Sequence, residues 1–575
     1  MSSPTTSQRY LSTRGGSYGF SFEETVLKGL AADQGLFLPE DIPSLPSNWQ
    51  HDWSHMSFSE LAFQIFSLYI APSEIEPVAL RDIIDRSYST FRVSSVTPTV
   101  TLDNARKIHL LELYHGETFA FKDIALQFLG NLFEFFLVRR NEGKSGKDRE
   151  HLTVVCATSG DTGSASIYGL RGKKDVSVFV MYPTGKVSPI QEAQMTTVTD
   201  ENVHCLSVDG TFDDCQAFVK DLFNDDLINS SQRLAAVNSI NFARILAQIT
   251  YYFASYFSLI RSGTYSPSTD QIRFVVPTGN FGDILAGYFA KRMGLPVMKL
   301  VIACNENDIL HRFLQTGTYE KKPVHGAAAA GGLVEDGAAA SPEGVKETLS
   351  PSMDILVSSN FERLLWLVAH DVYGSKAHSA QERREIAGRN VKEWQTQLKT
   401  NGGFSVERTV LDAVCADFSA ERVSDAETIA TIRDVYRWPE GYILDPHSAI
   451  AVTAALRSTE GAHQVALATA HPAKFAKAVE MALVDEKRFR FCDILPKQFV
   501  GMEKRPRRLR FVRRNEGLEG LRTLIVDEVE KEKAKRLLIG NNMDPRSARP
   551  GLGDSLQVVP QLNPLLVALR TTLGA

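Results

Sequence analysis

Short apolar runs alternate with stretches of helical spacing from about residue 96 onward. Two helical stretches stand out, the very apolar 124–138 and the segment 212–223, which opens with acidic residues that suit a helix N-terminus. Runs that are apolar throughout and separated by helices predict a mostly parallel sheet that is covered on both faces. The runs of strand length are IHLLELY (108–114), LTVVCAT (152–158), VSVFVMYP (176–183), VHCLSVDG (203–210), RFVVPTG (273–279) and LPVMKLVIACN (295–305).

The flanking regions have a different pattern. In residues 1–95, proline-broken connections such as LPEDIPSLPSNW (38–49) separate apolar helices such as SFSELAFQIFSLYI (57–70), which predicts a small, mainly helical N-terminal lobe. Residues 320–345 are rich in Ala and Gly and predict a mobile surface insertion. Residues 536–575 are rich in Pro, Gly and Arg and predict a loosely ordered tail.

Composition narrows the class of protein. Of the 575 residues, 43% are hydrophobic and 23% charged, which is typical of a globular protein with a large core. A net charge of −5 gives no reason to expect nucleic acid or an anionic membrane as a partner. The polar N-terminus and the lack of an apolar run of about 20 residues favour a cytoplasmic protein. Scattered cysteines without metal-ligand spacing indicate reduced thiols, at positions 156, 205, 215, 304, 415 and 492.

Lys122 is the first candidate for chemistry. It lies in HGETFAFKD, between the predicted strand 108–114 and the apolar helix 124–138. Apolar neighbours and the positive end of the helix dipole both disfavour the charged form of its amine, which makes Lys122 a candidate Schiff-base nucleophile. The alternative is a surface lysine whose methylene stem covers apolar neighbours.

Two Gly-containing loops follow predicted strands and precede predicted helices. In PTGNFGD (277–283), Gly279 and Gly282 let the backbone approach a ligand, which is typical of a phosphate cradle. This loop is neither a Walker loop nor GxGxxG, which argues against nucleoside triphosphates and dinucleotides. The loop ATSGDTGSA (157–165) suits a carboxylate or a phosphate. Each loop could equally be an ordinary turn or a helix N-cap.

Two further residues complete the set of candidates. Arg244, at the start of the apolar helix in NSINFARILAQITYYF, could bind an anion or form an interlobe salt bridge. Thr469 lies near the end of a strand in LATAHPAKF, where α/β sheets place ligand contacts, although a strand threonine is usually structural. An amine, a phosphate cradle and a carboxylate cradle at strand ends together match the needs of pyridoxal phosphate and an amino acid.

The chain resembles the threonine synthases, in their long fungal and bacterial form, from about residue 8 to about residue 530. This resemblance implies an α/β fold of the tryptophan-synthase-β type (fold type II), with two parallel-sheet α/β lobes and the cofactor between them. The lobes would occupy 96–535, with the smaller one at about 125–260. The motifs that carry the resemblance are YLSTRGG, DQGLFLPE, HGETFAFKD, ATSGDTGSA, NSINFARI, PTGNFGD, ILDPHSA and LATAHPAKF, in this order.

The resemblance also implies roles for individual residues. Lys122 would hold pyridoxal 5'-phosphate through a Schiff base, and Thr469 would hydrogen-bond the pyridine nitrogen. Arg244, or else Lys186 in PTGKVSP, would bind the substrate's phosphate. The cofactor phosphate would be wrapped by one loop, Gly279, Asn280, Phe281, Gly282 and Asp283. The substrate carboxylate and the cofactor's 3'-oxygen would lie beside Thr158, Ser159, Asp161 and Thr162.

The implied reaction converts O-phospho-L-homoserine and water to L-threonine and phosphate by γ-elimination and β-addition, with Lys122 as the general base. A carboxylate next to the substrate's carboxylate is unfavourable, so we expect Asp161 to face away from it or to accept hydrogen bonds from neighbours. Glu117 occupies a position where many relatives carry proline. It could pair with Lys122 or stay at the rim of the pocket.

Two other functions stay open. A catabolic phospho-lyase or a serine/threonine dehydratase-like enzyme of the same fold would release 2-oxobutanoate and no threonine. A catalytically silent regulatory relative would be expected to lack the lysine or the phosphate loop, and both are present here. We expect a cytoplasmic monomer or homodimer that binds no metal, nucleic acid or membrane.

Overall fold

The structure is a computed structural model that describes residues 8–321, 344–458, 461–513 and 517–540. The chain forms two compact units. Unit 1 extends to Phe128 and resumes over Ser239–Lys487, and unit 2 comprises Leu129–Asn238 and resumes at Arg488. Most of the predicted insertion and the part of the predicted tail beyond residue 540 lie outside the described residues.

The bounds of the regular elements are as follows. The strands are β1 (Tyr10–Ser12), β2 (Phe37–Pro39), β3 (Thr99–Asp103), β4 (Ile108–Glu112), β5 (Leu152–Ala157), β6 (Val176–Pro183), β7 (Val203–Val208), β8 (Leu234–Ala235), β9 (Ile272–Pro277), β10 (Lys299–Cys304), β11 (Thr318–Glu320), β12 (Gly403–Ser405), β13 (Phe418–Arg422), β14 (His463–Ala468) and β15 (Arg510–Val512). The helices are α1 (Phe22–Lys28), α2 (Trp49–Asp52), α3 (Phe58–Tyr69), α4 (Pro77–Tyr88), α5 (Lys122–Arg140), α6 (Asp161–Leu170), α7 (Pro189–Thr196), α8 (Phe212–Asn224), α9 (Asp226–Gln232), α10 (Phe242–Arg261), α11 (Gly282–Met293), α12 (Ile309–Thr316), α13 (Phe361–Val372), α14 (Ala380–Asn401), α15 (Arg408–Asp417), α16 (Asp425–Tyr436), α17 (Pro446–Leu456), α18 (Ala476–Leu483) and α19 (Gly517–Gly540).

Each unit is built on its own sheet. The main sheet of unit 1 has six strands in the order β13-β10-β9-β14-β4-β3, parallel except for the edge strand β3, which runs antiparallel to β4. The described part of this unit also has two antiparallel strand pairs, β1 with β2 and β11 with β12. Unit 2 has five parallel strands in the order β15-β7-β6-β5-β8. The strands predicted from apolar runs are fully buried in their central positions, as parallel strands covered on both faces must be. The prediction of mostly parallel sheets is confirmed.

One predicted strand begins four residues later than its apolar run. The run 295–305 becomes strand only at Lys299, because the residues before it form a turn. The N–H of Leu295 bonds back to Ala290, the N–H of Val297 bonds to Leu295, and Pro296 has no N–H to give a ladder. Hydrophobicity alone did not separate this turn from the strand.

Helix α19 belongs to unit 2 and continues to Gly540, so residues 536–540, predicted to start the tail, are its last turn. Leu521, Ile525 and Val529 are buried in the core of this unit, together with Phe179 and Leu206 of its sheet. Their spacing of four residues puts them on one helix face. No helix of the described residues is long and apolar enough to cross a bilayer.

Candidate active site

The turn that precedes Lys122 is hydrogen-bonded to the segment that follows β14. Ala120 and Ala470 form an isolated antiparallel bridge. The N–H of Phe121 donates to the carbonyl of Thr469 at 2.8 Å, and the N–H of His471 donates to the carbonyl of Phe119 at 3.1 Å. The structure therefore brings two of the predicted motifs, HGETFAFKD and LATAHPAKF, together within unit 1.

Asp123 fixes the shape of this turn from inside. Its carboxylate is fully buried and accepts hydrogen bonds from the N–H and the hydroxyl of Thr118, both at 2.7 Å. The Thr118 carbonyl accepts from the buried amine of Lys474 at 2.8 Å. Burial raises the pKa of Asp123 to about 6, although the Thr118 hydrogen bonds and the Lys474 charge oppose that rise. Sequence reasoning missed Asp123 and Lys474, although a lysine inside an apolar motif was a usable signal.

Lys122 is half-buried at the first position of α5, and its Nζ lies 5.3 Å from the centroid of the Phe121 ring. Phe119, three residues earlier, has φ +61°, a left-handed backbone that a phenylalanine rarely adopts. The Glu117 carboxylate accepts a hydrogen bond from Nε2 of Gln127 at 3.1 Å, so helix α5 itself holds this side chain. The sequence did not indicate Gln127 as the partner of Glu117.

The loop between β9 and α11 has the form of an anion cradle. Two of its carbonyls accept hydrogen bonds from the segment 358–360. The Gly279 carbonyl accepts from the Ser358 hydroxyl at 2.7 Å, and the Asn280 carbonyl accepts from the N–H of Asn360 at 3.1 Å. Within the described part of the chain, no protein group accepts a hydrogen bond from the N–H groups of residues 279–282. Phe281 precedes the helix with φ +64°. Unpaired N–H groups at a helix N-terminus are a preferred site for phosphate.

Asp283 follows the cradle, but its side chain turns into the protein. The hydroxyls of Tyr251 and Tyr252 donate to its carboxylate, the latter at 2.9 Å. Burial raises the pKa of Asp283 to about 6, against the lowering effect of these two hydroxyls. The Asp283 side chain is therefore held inside the protein, and a role of its backbone N–H at the phosphate stays a prediction. The tyrosines were not recognised from the sequence.

Arg244 lies in the first turn of α10 and is only 3% exposed. Its helix begins beside the cradle, because a Cβ added to Gly282 would lie 3.7 Å from the Ser239 Cβ and 3.6 Å from the Ile245 Cδ1. Arg244 is therefore not a surface side chain. Its role at an anion stays a prediction.

The loop after β5 holds the predicted substrate residues of unit 2. Thr158 is buried, and its hydroxyl oxygen accepts from the N–H groups of Gly160 at 2.9 Å and Gly163 at 2.8 Å. Asp161 accepts from Nε2 of Gln191 at 2.8 Å, which gives it the neighbouring donor that we expected. Gly160 has φ +135°, and a Cβ there would lie 2.4 Å from the Gln191 side chain. Gln191 was not recognised from the sequence.

The remaining predicted residues of unit 2 are more accessible. Ser159 and Thr162 are half-buried at the start of α6, where a ligand can reach them. Lys186 is exposed in the turn after β6, and its N–H donates to the Pro183 carbonyl at 3.2 Å. The substrate contacts of these residues stay predictions.

The residues present fit pyridoxal phosphate. The N–H groups of residues 279–282 would hold the phosphate, and Lys122 would supply the amine. Thr469, which is 6% exposed directly after β14, would present a hydroxyl to the ring nitrogen. Groups of three or more His, Cys, Asp and Glu arranged to hold a metal ion are absent from residues 8–321, 344–458, 461–513 and 517–540.

Comparison with known proteins places the chain in a family. Residues 9–88 match the family model of the threonine synthase N terminus, 448–525 that of the threonine synthase C-terminal region, and 92–355 that of pyridoxal-phosphate dependent enzymes. The chain is 55% identical over 499 residues to the threonine synthase of Schizosaccharomyces pombe, covering 86% of this chain and 93% of that protein. The chain belongs to the threonine synthase family.

Solved threonine synthases share the fold. The yeast crystal structure matches with a TM-score of 0.83 and 48% identity, covering 92% of this chain and all of that one. A threonine synthase from Brucella melitensis, solved with pyridoxal phosphate bound, matches with a TM-score of 0.77 and 38% identity over 91% of this chain and all of that one. These findings confirm the α/β fold of pyridoxal-phosphate enzymes with two parallel sheets, and pyridoxal phosphate as the cofactor of this threonine synthase.

Proposed function

We propose that this enzyme converts O-phospho-L-homoserine and water to L-threonine and phosphate, with Lys122 as the residue that binds the cofactor and moves protons. The observation that carries the proposal is the fixed turn at Lys122. Hydrogen bonds tie it to Thr469, and Asp123 shapes it from inside. A general base must be held within reach of the atom that it deprotonates, and this turn provides such rigidity.

Each residue of unit 1 has a defined task in this proposal. The N–H groups of Gly279, Asn280, Phe281 and Gly282 bind the cofactor phosphate, and the Thr469 hydroxyl orients the ring. When bound, the cofactor supplies a conjugated ring that delocalises the electrons left by carbon deprotonation. Lys122 Nζ takes the proton from Cα of the substrate, then a proton from Cβ. Loss of the Cβ proton allows phosphate to leave Cγ and take up one proton, and a second proton added at Cγ forms the methyl group. Water then adds its hydroxyl at Cβ and releases its other proton, and Lys122 returns a proton to Cα.

The residues of unit 2 are proposed as substrate contacts. Ser159, Thr162 and the N–H groups at the start of α6 suit a carboxylate. Thr158 accepts hydrogen bonds from Gly160 and Gly163 beside it, and Asp161 accepts one from Gln191 of α7, so both residues shape the loop and leave the direct contact to their neighbours.

Product analysis tests the reaction. Purified enzyme with pyridoxal phosphate and O-phospho-L-homoserine is expected to release threonine and phosphate in equal amounts. Release of 2-oxobutanoate without threonine would instead support the catabolic phospho-lyase or dehydratase-like function. A protein that binds the cofactor but turns over no substrate would support the silent regulatory relative.

Lys122→Ala tests the residue assignment. The variant is expected to lose the visible absorbance of the Schiff base and at least about a thousandfold of kcat, as expected when a residue that is both nucleophile and base is removed. Lys174→Ala changes an exposed lysine and serves as the matched control, with colour and activity retained. Retained colour and turnover in Lys122→Ala would overturn the assignment.

The substrate's phosphate has two candidate ligands. We propose Arg244 for this role because it is buried in unit 1 beside the cradle's helix, whereas Lys186 is exposed. Arg244→Gln is then expected to raise KM for O-phospho-L-homoserine, and Lys186→Gln to change it little. A reversed order would assign the phosphate to Lys186. The predicted cytoplasmic location and monomeric or homodimeric state are tested by cell fractionation and analytical ultracentrifugation.

A further inference from the structure

Arg363, on helix α13, is a fully buried cation that joins three separate segments of unit 1. Its Nε donates to the carbonyl of Phe37 at 2.9 Å. One terminal nitrogen donates to the carbonyl of Ile240, just before α10, and the other donates to the side-chain oxygen of Asn360. These contacts place the guanidinium behind the cradle loop, which Asn360 also contacts.

The charge of Arg363 is not balanced by an ion pair. In the chain segments that the structure describes, no carboxylate oxygen lies within 4 Å of its guanidinium, whose partners are two carbonyls and an amide. The neighbouring Glu362 is instead held by the Thr13 hydroxyl and by Arg14. Burial lowers the pKa of Arg363 to about 9, against the opposing effect of Glu362. A buried cation without a counterion is costly unless an anion binds nearby.

Asn360 connects Arg363 to the cradle, and its amide can adopt only one orientation. A guanidinium has donors and no acceptor, so the amide oxygen of Asn360 must face Arg363. The amide nitrogen then faces the carbonyl of Asn280, to which it donates at 3.0 Å. The backbone N–H of Asn360 donates to the same carbonyl at 3.1 Å. Asn280 therefore has both lone pairs of its carbonyl engaged by one residue.

Because two hydrogen bonds hold the Asn280 carbonyl, they also determine the direction of the N–H of Phe281 in the same peptide unit. In a trans peptide the C=O and the N–H lie in one plane and point in opposite directions, and no cis peptide occurs among the described residues. The N–H of Phe281 therefore points away from Asn360, as the N–H of Asn280 points away from Ser358, which holds the Gly279 carbonyl. Donors on one side of the peptide also polarise the N–H on the other side, which strengthens it as a donor.

We propose that Arg363 and Asn360 are positioning residues for the cofactor's phosphate. Arg363 fixes the Asn360 amide, the amide fixes the Asn280 carbonyl, and the N–H of Phe281 is thereby aimed at the phosphate. The positive charge of Arg363, transmitted through this hydrogen-bonded chain, favours the doubly charged phosphate over an uncharged group. The inference rests on the proposed function in one respect, the assignment of residues 279–282 as the phosphate cradle.

Asn360→Asp is the decisive variant because aspartate has nearly the same shape as asparagine but replaces the amide donor with a negatively charged acceptor. The new carboxylate still accepts from Arg363, and the ion pair compensates the loss of one hydrogen bond, so the apoprotein is expected to keep its thermal midpoint. The side-chain donor to Asn280 is lost, and a negative charge is placed behind the cradle. Affinity is measured by titrating apoprotein with pyridoxal phosphate and, separately, with pyridoxal, and by following the visible Schiff-base absorbance in both cases.

The wild type is expected to bind pyridoxal phosphate far more tightly than pyridoxal. In Asn360→Asp the affinity for pyridoxal phosphate is expected to fall about tenfold or more, while that for pyridoxal changes less than about twofold. The 31P resonance of the bound phosphate should also shift. Ser359→Ala removes a neighbouring hydroxyl that donates to the Asn280 side chain at 3.3 Å and not to its carbonyl, and it should match the wild type in both titrations.

The outcomes separate the two proposals. If the wild type shows no preference for pyridoxal phosphate over pyridoxal, the cradle assignment fails and the positioning role fails with it. If the wild type shows the preference and Asn360→Asp retains it in full, the cradle stands and the positioning role is overturned. Should Asn360→Asp not fold, Asn360→Ala decides in the same assay, with a smaller loss of about threefold supporting the role and an unchanged ratio rejecting it.

Discussion

Gly116→Ala would place a methyl group where the Asp123 carboxylate now lies. A Cβ built at Gly116 would be 2.4 Å from the Asp123 Cβ and 2.5 Å from its Oδ2. Carbon atoms in ordinary contact are about 3.5–4.0 Å apart, so Asp123 would have to move by about an ångström or more. Such a movement breaks the two 2.7 Å hydrogen bonds from Thr118 that shape the Lys122 turn.

The expected cost has two parts. Overpacking a buried site costs about 1–3 kcal/mol, and partial loss of two hydrogen bonds to a buried carboxylate costs about 1.5–3 kcal/mol. The total of about 2.5–6 kcal/mol should lower the free energy of unfolding, measured by denaturant titration. Because the turn carries Lys122, the Schiff-base absorbance and kcat should fall in parallel.

The matched control is Gly461→Ala, because a Cβ at Gly461 would meet no atom of the described residues within 4 Å. This exposed change should alter stability by less than about 0.5 kcal/mol. If Gly116→Ala behaved like the control in stability, colour and kcat, Asp123 would not be holding the turn at Lys122.

Three further perturbations test other parts of the structure. The pKa of Asp283 is raised to about 6 from 3.8, so ionisation of this carboxyl destabilises the folded protein as the pH rises through that range. In denaturant titrations, Asp283→Asn should therefore gain stability relative to the wild type between pH 4 and pH 7, by up to about 3 kcal/mol. A stability difference that does not change with pH would contradict this. Gly160→Ala puts an alanine at a backbone φ of +135°, where its Cβ would also clash with the Gln191 side chain. The variant should have a lower thermal midpoint and a higher KM. An unchanged KM would refute a substrate role for that loop. Glu532→Ala removes the carboxylate that lies 2.7 Å from Nε2 of the buried His204. This change should lower the free energy of unfolding by about 1–3 kcal/mol and speed up hydrogen exchange in α19. Unchanged exchange would show that apolar packing alone holds the helix.

Much of the fold could be predicted because its strands are buried on both faces. Apolar runs such as 176–183 and 203–210 could be recognised as strands from their own residues, and helix α5 begins within two residues of the predicted start. The short strands β8 and β15 were missed, since two or three residues carry no pattern of their own. Helix α19 was missed in part, because the polar residues between Leu521, Ile525 and Val529 hid the apolar face.

The parts of the candidate site that form short sequence motifs could be proposed from the sequence. Lys122 begins the helix that follows β4, and the loop 277–283 follows β9, so the structure places both on strand-to-helix connections, while their roles stay predictions. The residues that hold them were not predictable, because Asn360 and Arg363 act across distances of 80 and more than 100 residues in the chain. Asp123 was in view as the neighbour of Lys122, but its role depends on Gly116 leaving room for it, which only coordinates show.

The most direct test of the central claim is the fate of solvent oxygen. The enzyme is incubated with O-phospho-L-homoserine in H₂¹⁸O, and the products are analysed by mass spectrometry. Elimination at Cγ followed by addition of water at Cβ predicts threonine with one ¹⁸O in its hydroxyl and phosphate released with none, with both signals lost in Lys122→Ala. Homoserine accompanied by ¹⁸O-labelled phosphate, or 2-oxobutanoate in place of threonine, would contradict the account.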